Sequence, residues 1–208
     1  MSDEARPRQS DSQTAAVVVQ EHDALAVVRL DRPARRNPLS VPTLEELDSA
    51  VSSLVARADV RAVVFTGAGD VFASGADIRE LQLLTPDSAR EFALRGQRLM
   101  RKIADAPQLT VAAVNGYCMG GGLDLALACD LRVASPSAVF AHPGARLGII
   151  TGWGGTQRLP RVVGAALAVE MFATARRLSS SEAYEYGLVS IISDTVVDCA
   201  CNLALSRA

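Results

Sequence analysis

The central feature of this chain is a run of three glycines between an apolar strand and an apolar helix, within residues 114–135, VNGYCMGGGLDLALACDLRVAS. Gly120, Gly121 and Gly122 contribute no side-chain packing, and each loses more backbone entropy on folding than any other residue type. A fold that keeps them therefore needs bare backbone here. Because LDLALA is a good helix former, we expect the glycines at a helix N-terminus, where unpaired N–H groups and the helix dipole favour a negatively charged oxygen.

Asp124 lies two residues beyond the last glycine, in the first turn of this predicted helix. Its carboxylate is placed to face the same space as the glycine amides and to act on a proton there. A second interpretation needs no chemistry, because acidic residues stabilise first helical turns and glycines let a helix pack tightly on a strand. The spacing alone favours neither. Nucleotide phosphate binding is the weaker chemical alternative, since neither GxGxxG nor GxxxxGK[ST] is present.

Composition excludes several classes of function. A chain of 208 residues, 49% of them hydrophobic, can bury the core of a single domain. The formal net charge is −2, and no basic run is longer than the pairs Arg35-Arg36 and Arg176-Arg177, so we expect no nucleic-acid partner. The chain has two histidines, His22 and His142, which are too few for a transition-metal site, so we predict no metal.

The cysteines and the hydropathy pattern indicate a compartment. The four cysteines have no zinc-finger or CxxC spacing and lie in apolar contexts typical of reduced, buried thiols; they are Cys118, Cys129, Cys199 and Cys201. No apolar window is long enough to span a membrane, and MSDEARPRQSDSQT is too polar for a signal peptide. We therefore expect a soluble cytoplasmic protein without a membrane partner.

The order of elements predicts an α/β protein. Residues 1–14 are expected to be a disordered tail, and residues 15–208 one domain. AAVVVQ and ALAVVRL predict a hairpin that turns at Glu21-His22-Asp23. Helical spacing from Val41, followed by the strand RAVVFTG, gives a β–α–β rhythm. Further on, the pattern predicts a helix over 86–107, a strand in LTVAAVNG, strands in LRVAS and AVFAHP, one helix within GGTQRLPRVVGAALAVEMFATA and one in DTVVDCACNLALSRA. The apolar stretch 109–150 indicates strands covered on both sides.

Two loops are further candidates for ligand binding. GAGDVFASGADIREL (67–81) places the amides of Ala73 to Asp77 after a strand, where α/β proteins bind ligands. LDRPARRNPLS (30–40) is either a solvated loop or one that presents Arg35 and Arg36 to phosphates. A hydrolase built on Ser74 and His142 is disfavoured, because ASG is not the GxSxG elbow and no orienting acid is identifiable.

Five blocks occur together in one order. They are RPARRNPLS, FASGADIREL, VNGYCMGGGLDLALACDLRVAS, LGIITGWGGTQRLPR and SEAYEYGLVSII. On these blocks the chain, from about residue 15 to its end, resembles the crotonase (enoyl-CoA hydratase/isomerase) superfamily. The resemblance implies a spiral of β-β-α units in which two backbone N–H groups bind the thioester oxygen of an acyl-CoA.

Carried onto this sequence, the resemblance assigns those two N–H groups to Ala76 and Gly121. Two such donors stabilise the enolate that forms when a proton leaves or joins the carbon beside a thioester. It also implies coenzyme A as part of the substrate, no permanently bound cofactor, and a homotrimer or a dimer of trimers. The residues implied along the substrate and CoA path are Arg36, Ala73, Ala76, Asp77, Ile78, Gly120 and Gly121.

The sequence departs from the family pattern at three places. Hydratases of the family carry two glutamates that hold a water, whereas this chain has Asp124 at the first position and Gly144 at the second. His142 is a possible substitute as acid or base, although strand alternation places it inside or outside the pocket equally well. DTVVDCACNLALSRA is a single helix where the family continues with further helices, so we expect a shortened C-terminal helical segment and a weakened or altered oligomer.

Two functions follow as expectations. The first is an acyl-CoA thioester enzyme of the enoyl-CoA hydratase/isomerase type, a lyase or an isomerase, with Asp124 as candidate base. The alternative is a catalytically weak or inactive acyl-CoA-binding or partner protein, because Gly144 replaces the second family glutamate.

Overall fold

A computed structural model describes residues 15–207, so the predicted tail of residues 1–14 lies outside the described part. Its strands and helices follow one another as β-β-α units. The first unit is β1 (Val17–His22), β2 (Leu25–Leu30) and α1 (Val41–Val55); the second is β3 (Ala62–Gly67), β4 (Val71–Ala73), α2 (Ile78–Leu81) and α3 (Pro86–Ala104). The third is β5 (Leu109–Val114), β6 (Tyr117–Met119) and α4 (Gly121–Ala128); the fourth is β7 (Leu131–Ala134), β8 (Val139–Ala141), α5 (Gly155–Val163) and α6 (Ala165–Thr174). β9 (Arg177–Ser179), α7 (Ser180–Glu185), β10 (Ile191–Ile192) and α8 (Val196–Arg207) complete the chain, and two 3₁₀ helices span Pro33–Arg35 and Pro143–Leu147.

The strands form two sheets. The larger has the order β1-β2-β3-β5-β7-β10 and is parallel except for the β1–β2 hairpin. The smaller has the order β4-β6-β8-β9, with β8 and β9 antiparallel. From the second unit onward, the first strand of each unit joins the larger sheet and the second strand joins the smaller one. This repeated alternation produces the spiral that the resemblance implied.

The larger sheet is covered on both faces, as its apolar strands predicted. One face packs into the main core, which includes Val28, Phe65 and Val114. The opposite face packs against α8, whose Val196, Ala200 and Ala204 recur every four residues and therefore form one stripe on the helix. Both sides of β3 and β5 are buried for this reason.

Three expectations are corrected by the structure. The single helix predicted after the GGTQ turn is two helices, because Gly164 has φ +83, which a helix cannot continue through. Of the predicted turn residues, Glu21 and His22 belong to strand β1, and the turn falls at Asp23, whose φ is 52. Cys199 and Cys201 are half-buried on α8 rather than buried, whereas Cys118 and Cys129 are buried as expected.

Candidate active site

The two glycine loops meet beside the smaller sheet. β4 pairs in parallel with β6, so the chain leaves both strands at the same edge. There the loops touch: a Cβ on Gly75, whose φ is +89, would lie 3.0 Å from the N of Gly121 and 2.8 Å from the O of Met119. Only glycine allows this approach. Ala76, which follows Gly75, and Gly121 line the same cavity.

Within residues 15–207, the N–H groups of Ala76 and Gly121 donate no hydrogen bond. Two N–H groups of the neighbouring turn are paired, because the N–H of Gly120 donates to the O of Ala141 at 2.9 Å and the N–H of Leu123 donates to the O of Gly120 at 2.9 Å. Unpaired backbone N–H groups are costly when they are withdrawn from water, so a pair of them beside a cavity favours an oxygen ligand.

A cavity of about 270 Å³ opens beside these amides. Its polar residues are Asp124, His142, Ser74 and Thr151, and its remaining side chains are mainly apolar; they include Leu81, Leu84, Phe92, Ile150 and Trp153. The rings of Phe92 and Trp153 lie 5.4 Å apart. A Cβ on Gly121 would lie 2.3 Å from the Trp153 ring, so the indole forms a wall directly against the proposed amide. The cavity therefore suits an apolar group.

Asp124 reaches this cavity from the first turn of α4 and is fully buried. Its Oδ2 accepts a hydrogen bond from the hydroxyl of Thr151, while its Oδ1 has no partner among the described residues. Burial raises the pKa of Asp124 to about 7, although the Thr151 hydrogen bond, the charge of Arg158 and the nearby backbone N–H groups of Trp153 and Gly155 oppose the rise. A carboxyl group with this pKa both accepts and donates a proton near neutral pH.

His142 follows β8 and is turned inward, which settles the question that strand alternation left open. Its side chain is 3% exposed, and its Nε2 lies 3.6 Å from the Oδ1 of Asp124. That separation is too long for a hydrogen bond. Burial lowers the pKa of His142 to about 4, so the imidazole is neutral at pH 7. The ring of Phe172 lies 5.0 Å away on α6.

Gly144 begins the loop that closes the cavity. A Cβ there would lie 2.5 Å from the carbonyl O of Ile149, whose own N–H donates to the O of Gly144 at 3.0 Å. The φ of Gly144 is not in the left-handed region, so contact with backbone is the reason for glycine. A second carboxylate at this position requires the loop to shift.

A second, polar cavity of about 640 Å³ adjoins the first and shares Ser74, Ala76, Ile78 and Pro143 with it. Five arginines line it; they are Arg35, Arg36, Arg79, Arg146 and Arg177. Asp77 also lies there, where it caps α2 and forms ion pairs with Arg79 at 3.0 Å and Arg35 at 3.4 Å. Arg79 foremost holds the pKa of Asp77 below its ordinary value. The cavity is basic and suits phosphate groups.

The expected site residues are therefore mostly together. Asp124, His142, Gly144, Gly120, Gly121 and Ala76 line the apolar cavity, and Arg36, Asp77 and Ile78 line the basic one. Ala73 is the exception, because it is fully buried at the end of β4 and lines neither cavity. Its carbonyl instead lies against Gly122.

Sequence analysis missed four residues that shape the site. Thr151 fixes one oxygen of Asp124, Trp153 walls the cavity, and a Cβ on Gly155 would stand 2.1 Å from the Oδ1 of Asp124. The buried Asn37 ties the arginine loop to the β3–β4 turn, since its Nδ2 donates to the O of Val71 at 2.6 Å and its Oδ1 accepts from the N of Arg32 at 2.8 Å. The GWGG stretch was the available signal for Trp153 and Gly155.

Comparison with known proteins identifies the family. The family model described as enoyl-CoA hydratase/isomerase matches residues 20–205. The chain belongs to the enoyl-CoA hydratase/isomerase family. A crotonyl-CoA hydratase of Syntrophomonas wolfei is 41% identical over 175 residues, and a short-chain-enoyl-CoA hydratase of Clostridium acetobutylicum is 38% identical over 175 residues. Each alignment covers 84% of this chain and 67% of that relative.

Solved structures confirm the fold of this enoyl-CoA hydratase/isomerase family member. The crystal structure of an enoyl-CoA hydratase from Bacillus anthracis superposes with a TM-score of 0.88 and 36% sequence identity. The superposition covers 92% of this chain and 76% of that one. The expected crotonase-like α/β spiral is thus correct.

Neither a membrane-spanning helix nor a cluster of metal ligands occurs among the described residues. Across residues 15–207, no helix combines the length and the apolar character that a membrane span requires. No group of three or more His, Cys, Asp or Glu side chains in that part of the chain is arranged to hold a metal ion.

Proposed function

We propose that this family member binds an acyl-CoA thioester and stabilises the enolate of its acyl group. The observation that carries the proposal is the pair of unpaired N–H groups, on Ala76 and Gly121, at the junction of an apolar and a basic cavity. When both N–H groups bind the thioester oxygen, the acyl chain lies in the apolar cavity beside Trp153. The CoA phosphates then lie toward Arg36 and the other arginines.

Asp124 is the proposed base, because it is the carboxyl group that lines the apolar cavity beside the two N–H groups. When its carboxylate removes a proton from the carbon beside the thioester, the C–H bond breaks and an O–H bond forms. The electron pair of the C–H bond moves into the enolate, whose negative oxygen accepts from Ala76 and Gly121. Each oxyanion donor of this kind lowers the barrier by about 3 kcal/mol.

The overall reaction is then a lyase or an isomerase reaction of the hydratase/isomerase type, with CoA entering as part of the substrate. The relatives named crotonyl-CoA hydratase and short-chain-enoyl-CoA hydratase make short 2-enoyl-CoA thioesters the first substrates to test.

Gly144 favours a second candidate, an acyl-CoA-binding protein with little or no turnover. The backbone of Ile149 occupies the approach to Gly144, so the site keeps one carboxylate where the family pattern has two. A protein of this kind retains the amides and both cavities but lacks the second water-holding group.

Turnover and binding measured together separate the two candidates. Purified protein is offered crotonyl-CoA and longer enoyl-CoA thioesters, hydration is followed by loss of the enoyl absorbance, and isomerisation by chromatography of the products. Calorimetry on the same samples gives the dissociation constants, and Asp124→Asn is the matched control. Turnover that disappears in Asp124→Asn supports the enzyme. Binding without turnover of any thioester supports the binding protein.

We also infer a cytoplasmic location, supported by four cysteines that are all free in the structure. The family makes a homotrimer or a dimer of trimers the proposed assembly. Sedimentation velocity on the whole chain tests it, and a monomer across the micromolar range contradicts it.

A further inference from the structure

We infer that Asp124 and His142 share a single proton and act as one acid–base unit, in which His142 is the positioning residue. This inference rests on the proposed function, since it concerns the proton that the enolate reaction moves. His142 would then hold and orient Asp124 in a site where Gly144 replaces the second family glutamate.

The geometry singles out this pair. The Oδ1 of Asp124 and the Nε2 of His142 are both buried, and neither has a hydrogen-bond partner among the described residues. They lie 3.6 Å apart, a few tenths of an ångström beyond hydrogen-bond length. Because Thr151 already occupies Oδ2, the remaining oxygen of Asp124 is the one that faces the imidazole. A small rotation of either side chain joins two groups that are otherwise unsatisfied.

The surroundings keep the pair close together. Gly155 leaves room for both groups, since a Cβ there would lie 2.1 Å from the Oδ1 of Asp124 and 3.1 Å from the Cε1 of His142. On the far side, the imidazole packs on the ring of Phe172. Gly155 and Phe172 thus pack beside the pair on two sides, and the apolar cavity adjoins both side chains.

The charged groups around the pair are few. Arg158 of α5 favours the ionised form of Asp124, and the buried thiol of Cys118 on β6 has a pKa well above its ordinary value, chiefly from burial and also from the charge of Asp124. Cys118 therefore stays protonated. Asp124 is therefore the group of this set that exchanges a proton near neutral pH, and His142 is its neighbour.

These constraints set the protonation state at each pH. With a pKa of about 7 for Asp124 and about 4 for His142, the carboxyl group keeps its proton between pH 4 and 7 and donates it to Nε2 of a neutral imidazole. Nδ1 then carries the ring proton. Above pH 7 the carboxylate is ionised and accepts from Nε2–H. The ring thus changes tautomer near pH 7 while remaining neutral.

Nitrogen NMR of the imidazoles measures this change directly. The chain has two histidines, so His22, outside the site, serves as the internal reference. We expect the ¹⁵N shifts of His142 to report a neutral ring from pH 5 to 8, with Nδ1–H replaced by Nε2–H as Asp124 ionises. Asp124→Asn should leave one tautomer at every pH. Thr151→Val removes a hydrogen bond to the carboxylate and should move the change to higher pH.

Three results overturn the inference: a His142 that becomes charged near pH 6.5 as an ordinary histidine does, a single tautomer throughout in the parent, or an unchanged transition in Asp124→Asn. If Asp124→Asn does not fold, the parent and Thr151→Val still decide. The NMR measurement needs no substrate, so a tautomer change without any thioester chemistry contradicts the proposed function alone. Thioester turnover without the change contradicts this inference alone.

Discussion

Gly155 lies so close to Asp124 that a Cβ at Gly155 would stand 2.1 Å from the Oδ1 of the acid. Gly155, the first residue of α5, therefore leaves the space in which the carboxyl group of Asp124 lies beside His142. A glycine is required here by contact with a side chain, since the φ of Gly155 is not in the left-handed region.

We expect Gly155→Ala to lower thioester turnover at least about tenfold, because the added methyl group displaces the carboxyl group by an appreciable fraction of an ångström. Gly152→Ala is the matched control, since it adds the same methyl group to the wall of the same cavity but would meet only the Cβ of Ala93 at 3.8 Å, an ordinary contact. Steady-state kinetics of both variants, with circular dichroism to verify folding, make the comparison. Equal activity in the two variants would show that the position of Asp124 is not critical.

Placing glutamate at both family positions should not raise the hydration rate. In Asp124→Glu/Gly144→Glu, the new Cβ at position 144 meets the carbonyl of Ile149, so we expect a loss of about 1–3 kcal/mol of stability. Thermal melts and hydration rates are compared with those of Asp124→Glu alone. A double variant that is as stable as the single one and hydrates crotonyl-CoA faster would show that the 143–149 loop adapts readily.

The dependence of stability on pH should reveal both buried groups. Between pH 4 and 6.5, the folded protein keeps a proton on Asp124 that the unfolded chain releases, so this group makes stability fall as pH rises. His142 acts in the opposite sense, because the unfolded chain binds the proton that the folded protein excludes. In the parent the two effects largely cancel.

Single substitutions should remove that cancellation. Relative to the parent, Asp124→Asn should gain stability as pH rises from 4.5 to 6.5, and His142→Gln should lose it, each by at most about 1.4 kcal/mol per pH unit. Urea denaturation at both pH values gives the free energies of unfolding. Slopes that match the parent in both variants would mean that neither group has a shifted pKa.

The basic cavity predicts weaker CoA binding in Arg36→Ala. We expect the dissociation constant of CoA to rise about tenfold at low salt and the difference to shrink at high salt, as for a charge-assisted contact with phosphate. Arg101→Ala, on the exposed side of α3, removes the same charge elsewhere. Isothermal calorimetry at two salt concentrations measures both variants, and equal losses would assign the effect to net charge.

Local patterns were sufficient to predict the framework of the site. The triple glycine followed by LDLALA placed Gly121 and Asp124 correctly at a helix start, and the FASGAD loop placed Ala76 correctly after a strand. Both predictions depend only on residues that are adjacent in the sequence. The hairpin and helix α1 were predictable for the same reason.

Contacts between distant segments were not predictable in this way. The hydroxyl of Thr151 reaches Asp124 across 27 positions, and the orientation of His142 depends on how β8 packs beside β6 and α6. The reason for Gly144 also became visible only when the loop folded back and brought Ile149 against it. The break at Gly164 was the exception, since glycine within a helical pattern is itself a signal.

Exchange of the proton beside the thioester of a saturated acyl-CoA tests the central claim most directly, because it needs the enolate but neither water addition nor double-bond movement. Butyryl-CoA is incubated with the protein in D₂O, and deuterium at the carbon next to the carbonyl is followed by NMR and mass spectrometry. We predict incorporation with the parent and at least about a hundredfold slower incorporation with Asp124→Asn at unchanged affinity. Saturated binding of butyryl-CoA without any incorporation by the parent would contradict the account.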